Sequence, residues 1–134
     1  MANALYGKGK EKILSGAIDL TTATIKAALL SSAYTPNLST DEFWSTILAN
    51  LLNSQQTLAS KTVTLGVFDA ADITFTAVTA GSTVKAVVLY KDTGVNSTSP
   101  LIAYIDTITG FPLATNGGDI SIVWDSGANK IFAL

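Results

Sequence analysis

The side chains of this sequence most able to do acid–base or metal chemistry are aspartates, because histidine and cysteine are both absent. Asp69 and Asp72 flank two alanines, and Asp92, Asp106, Asp119 and Asp125 fall near the ends of strand-like segments. Two carboxylates converging in a cleft would equip a glycosidase, and several carboxylate oxygens around one point would hold Ca²⁺. No stretch has calcium-loop spacing, however, and Asp favours turns because its side chain bonds nearby backbone amides. We read these aspartates as turn formers. Without histidine or cysteine the chain also lacks the usual general base, zinc ligands, thiolate nucleophiles and disulfides. Serine and threonine are abundant, but no ordinary triad is available to activate them. The expectation is a non-enzymatic protein with no catalytic residues, no metal and no cofactor.

Gly7-Lys8-Gly9-Lys10 looks superficially like a phosphate-binding loop. A real one has longer glycine spacing, a preceding strand, and Ser or Thr after the lysine. None of these is present, so the segment reads as part of a basic N-terminal arm. Of the two tryptophans, Trp124 lies in a strand-like stretch and is expected in the core. Trp44 adjoins Phe43, so one of the two should point away from the main apolar face, which makes Trp44 the better interface candidate.

The elements that would position these residues follow from patterning. Residues 1–16 predict a short helix or helical arm, with Leu5, Tyr6, Ile13 and Leu14 on one broad face and Lys8, Lys10 and Lys12 as a basic patch. Gly7 and Gly9 should weaken that helix by roughly 1 kcal/mol each. Residues 21–31 read as a buried strand. Ser39 and Glu42 have capping-box spacing, and Phe43, Ile47, Leu48, Leu51 and Leu52 recur at helical intervals, which predicts a helix over 40–53. From residue 57 onward the period is two, with strands expected at 62–65, 73–76, 84–91, 101–106, 120–124 and 130–134. Turn formers separate them. The fold class expected is mainly β with minor α: an antiparallel β-sandwich or barrel-like domain, with the arm at 1–16 and the β-rich core at 17–134 in one domain.

The chain has 134 residues, enough for a single core. Only 13% of it is charged, well below the share of about 25% usual for soluble domains. Part of the surface must therefore be apolar or neutral, and contiguous apolar surface marks contact with other chains. There are eight lysines and no arginine. With a net charge of −2 this argues against nucleic acid as a direct partner. No stretch reads as a signal peptide, and the apolar runs are too short to span a membrane.

Several stretches together resemble a family of small virion proteins of tailed bacteriophages. They include Ala2-Asn3-Ala4-Leu5-Tyr6, Ile25-Lys26-Ala27-Ala28-Leu29 and Val88-Leu89-Tyr90-Lys91-Asp92-Thr93-Gly94. Also similar are Asn116-Gly117-Gly118-Asp119-Ile120 and Gly127-Ala128-Asn129-Lys130-Ile131-Phe132. The resemblance covers most of the chain, least clearly at 31–60. It implies a virion structural protein made in the host cytoplasm, and the capsid surface is the favoured location. There it would act as a decoration or cement protein that binds the major capsid protein as a homo-oligomer, a trimer in proteins of that kind. The alternative is a minor tail or tail-fibre component that contacts a neighbouring tail protein or a carbohydrate, the latter through exposed aromatics in a groove or a concave rim formed by the loops at 92–100 and 107–114. For either role the expected contact residues are Leu5, Tyr6, Lys8, Lys10, Lys12, Ile13 and Leu14 of the arm, with Phe43 and Trp44.

Overall fold

The computed structural model describes residues 4–134, with side chains of all but residues 53 and 54; the first three residues of the expected arm lie outside this range. Eleven strands form three antiparallel sheets among the described residues. The largest has the order β1 (Ala4–Leu5), β8 (Leu101–Ile105), β7 (Thr83–Lys91), β2 (Ile25–Ser31), β3 (Leu51–Thr57), and β9 (Leu113–Ala114) also pairs with β7. β6 (Ile73–Phe75) pairs with β10 (Ile120–Ile122), and β5 (Val67–Asp69) lies between β4 (Thr62–Thr64) and β11 (Phe132–Ala133). The chain is thus mainly β with one short helix, α1 (Gly7–Leu14), and its sheets do not close into a barrel.

Alternation along the central strands explains the layering, because successive side chains leave a strand on opposite faces. Ala27, Leu29, Val87, Leu89, Ala103 and Ile105 point to one face, where they meet Phe68, Phe75, Ile120 and Ile122 from the small sheets. Ala28, Leu30, Ala86, Val88 and Tyr104 point to the other face. That second face is covered by Tyr6, Tyr34, Trp44 and Ile47 rather than by another sheet. The first, the aliphatic core, sets Phe68, Phe75 and Trp124 among mostly Ile, Leu and Val, while the second, the aromatic core, gathers all four tyrosines and Trp44.

The helix expected over 40–53 is absent. Trp44–Thr46 and Leu48–Asn50 form two 3-10 turns, and the chain then enters β3. Leu51 and Leu52 are consecutive strand residues that enter the aromatic and aliphatic cores respectively. The spacing that suggested one helical face is thus shared between two turns and a two-faced strand. Local competitors also displace the capping box. Asn37 Oδ1 accepts from the Ser39 and Thr40 amides, each at 3.2 Å, and Glu42 pairs with Lys12. Pairing with β2 then overrides helical propensity beyond Asn50.

Among the described residues, no helix is long and apolar enough to cross a membrane.

Candidate interaction surface

The arm is docked, not free. β1 pairs with β8 in the register Ala4 to Tyr104 and Leu5 to Ala103, and the Tyr6 amide donates to the Ile102 carbonyl at 2.9 Å. The helix that follows presses its Gly9 backbone against β8 at Leu101 and Ile102. Gly7 donates to the Leu38 carbonyl at 2.7 Å, which ties the arm to the loop covering the aromatic core.

Docking sorts the expected contact residues into three groups. Tyr6 and Trp44 are core residues and present no surface, which corrects the expectation that Trp44 points outward. Trp44 stacks on Tyr90 with ring centroids 3.9 Å apart and planes 19° from parallel. Leu5, Ile13 and Phe43 are half-buried; the first two pack on the aliphatic core, and Phe43 bridges to Pro100. Lys8, Lys10, Lys12 and Leu14 are the members whose side chains reach solvent. Lys8 pairs with Glu11 at 3.2 Å; Lys12 pairs with Glu42 and lies 5.3 Å from the Phe43 ring centroid. Two of the three arm lysines thus meet an acid of the same chain, and the basic patch shrinks towards Lys10. Trp124 is buried, as expected: its indole donates to the Ala71 carbonyl and its amide to Asp72 Oδ1.

Most of the aspartates weighed for chemistry bind backbone amides. Asp92 Oδ1 accepts from Gly94, Asp119 Oδ1 from Ala77 and Asp125 Oδ1 from Gly127, each at 2.9 Å. Asp92 also pairs with Lys26 at 2.8 Å. That lysine, with the Gly94 amide second, holds the Asp92 carboxyl below its ordinary value. Among the described residues no group of three or more His, Cys, Asp or Glu is arranged to hold a metal.

The loops at 92–100 and 107–114 lie at opposite ends of the β7–β8 pair, since one joins the two strands and the other leaves the far end of β8. They do not share a rim.

Large apolar side chains stand in solvent beyond the expected contact residue Leu14. Leu65 is 98% exposed, Leu14 78%, Val123 71% and Val63 47%. Leu65 and Gly66 form the two-residue turn between β4 and β5, and both have positive φ, 50° and 78°. That is the type I′ pattern, in which Asn-Gly is the favoured pair and a leucine is strained. Leu134 lies beside this turn, its amide donating to the Gly66 carbonyl at 2.9 Å. Two open concavities flank β4. One, of about 430 Å³, is lined by Ile13, Ile18, Leu20 and Val63; the other, of about 310 Å³, by Thr62, Thr64, Leu65 and Val67.

The strain at Leu65 gives an expected result. Leu65→Asn should raise stability by about 1 kcal/mol in urea denaturation, since it relieves a left-handed leucine that touches almost nothing. A loss of stability would show that Leu65 packs within its own chain.

No protein-family model matches this sequence, and no curated protein matches it significantly.

Proposed function

We propose that the chain is a non-enzymatic structural protein of a tailed-phage particle, specifically a decoration protein on the outer face of the capsid shell. The observation that carries this reading is the surface. Leu14, Leu65, Val95 and Val123 stand in solvent on a chain with only eight cations and ten acids. A surface this poor in charge suits apolar and neutral polar contact with other subunits, whose buried centres are depleted of charged residues. The sequence likeness to small virion proteins supports the same reading. The work would be mechanical: contacts to the major capsid protein contribute roughly 25 cal/mol per Å² of apolar area before association costs, and copies repeated by symmetry add avidity. Association of the chain into a homo-oligomer belongs to this proposal. A tail or fibre role with a carbohydrate ligand is served less well, because both tryptophans are buried and the two loops that would form its rim lie apart.

Gold-labelled antibody against the chain, applied to intact particles of its phage, is expected over the heads. Label confined to tails would transfer the chain to the second reading, and unlabelled particles would remove it from the virion. Binding of purified chain to undecorated shells should change less than about threefold between low and high salt, because a largely apolar interface is screened little. A steep loss at modest salt would assign the contact to Lys10 and its neighbours instead.

A further inference from the structure

We infer that the outer edge of β4 is a self-association site, where it pairs antiparallel with β4 of a second copy across a two-fold axis. The inference stands apart from the capsid reading and concerns copies of this chain only.

The register of the β4–β5 hairpin decides which groups face outward. In a hairpin with a two-residue turn, the residues flanking the turn form the hydrogen-bonded pair and the next pair turns its backbone away. Thr64 and Val67 flank the turn, so Val63 and Phe68 are the pair whose amides and carbonyls point outward. Phe68 conforms: its carbonyl accepts from the Ile131 amide, on the side away from β4. Val63 must then direct its N–H and C=O to the opposite side. There β4 is the edge of its sheet, and Val63 has no backbone partner among the described residues.

Exposed edges are usually blunted by charge, proline or a bulge. β4 reads Thr-Val-Thr, with all three residues exposed and pairing with β5 in unbroken register. An unpaired N–H and C=O in extended backbone call for another extended strand, and the sequence favours a second copy as its source. With Val63 facing Val63 of the second copy, the two residues exchange both hydrogen bonds, and Thr62 of each faces Thr64 of the other. No like charges meet, and Thr–Thr pairs across strands are favourable. Lys61 would face Leu65 of the second copy, but its ammonium donates to the Ala23 carbonyl of its own chain, which leaves the aliphatic stem for the leucine. An added strand sends alternate side chains to opposite faces. Val63 of the second copy would extend the face on which Val63 lines a concavity with Ile13, Ile18 and Leu20, and its threonines would continue the opposite face, that of Thr62 and Thr64. Three paired residues make a small interface, so the free dimer should be weak.

Sedimentation velocity on the purified chain tests this. A dimer should grow in between roughly 10 µM and 1 mM, the range of a weak association. Val63→Lys and Val63→Glu place like charges on the two-fold axis, and each alone should lose the dimer by about tenfold or more in affinity. Mixing the two variants should restore it, an outcome that only direct Val63–Val63 facing produces. Circular dichroism and melting temperature establish that both variants fold. Should either fail to fold, Val63→Cys supplies a second readout in a chain without cysteine. Mild oxidation should then yield a disulfide-linked dimer under conditions where Val123→Cys does not. A wild type that stays monomeric, variants that dimerise as well as wild type, mixed variants that stay apart, or equal cross-linking at Val63→Cys and Val123→Cys would each overturn the inference.

Discussion

Raising the pH is expected to unfold this protein sharply near pH 11 to 12, with all four tyrosines ionising together as it unfolds. All four are buried in the aromatic core. The Tyr6 and Tyr34 hydroxyls lie 2.8 Å apart, and Tyr34 donates to Asp41 Oδ2 at 2.6 Å. Burial is the largest influence on each phenol and raises it above its ordinary value. The Tyr34 bond to Asp41 raises it further, as do the charges of Asp92 at Tyr90 and Asp106 at Tyr104. The unfolded chain releases these protons from about pH 10 upward while the folded chain keeps them, so stability falls as pH rises. Each tyrosine contributes a slope of about 1.4 kcal/mol per pH unit, so the four together remove between about 5 and 6 kcal/mol over one full pH unit above the unfolded value. That rivals the entire stability of a small domain. Phenolate absorbance and circular dichroism should therefore change at the same pH. Tyrosines that titrate gradually around pH 10 in a folded protein would mean that their hydroxyls reach solvent.

The second large effect belongs to Gly9. At an exposed helical position, Gly→Ala stabilises by up to about 1 kcal/mol. Here the sign should reverse. A Cβ on Gly9 would collide with the Leu101 carbonyl oxygen and come within 3.1 Å of Ile102 Cα, both backbone atoms of β8. Neither can swing aside as a flexible side chain does, so the helix must lift from the sheet. Gly9→Ala is expected to cost about 3 kcal/mol by denaturant titration, while Lys10→Ala, one residue on and solvent-facing, should stay within about 0.5 kcal/mol. A stabilised Gly9→Ala protein would show that α1 does not pack on β8 as described.

Helix propensity alone misstates the part Gly9 plays, because its role is close approach between a helix and a strand separated by about ninety residues. Strands with two buried faces and β-branched or aromatic residues, such as β7 and β8, were legible because their composition and length admit little else. The stretch at 40–53 was not. Leucines at 48, 51 and 52 fit a helical face as well as two turns and a strand, and only the partners β2 and Tyr90 decide between them. Asp92 and Asp125 were legible as turn formers because that preference is local, whereas Asp72 and Asp119 accept from the distant amides of Trp124 and Ala77. The Leu65–Gly66 turn leaves no signal in the sequence because leucine is among the residues least expected there. Burial of Tyr6 and Trp44 depends on where the arm and the covering loop dock, which no local pattern encodes.

The docking of β1 on β8 has a temporal side. Ala4 pairs with Tyr104, so the first described strand finds its partner about a hundred residues further along the chain. On the ribosome the lysine-bearing segment emerges early and stays undocked until β8 has been synthesised. Tyr6 likewise waits for Tyr104 and Leu101 before its aromatic core can close. A nascent chain stalled before β8 would lack the whole of that dock, so completing the N-terminal end of this fold is one of the late events of its synthesis.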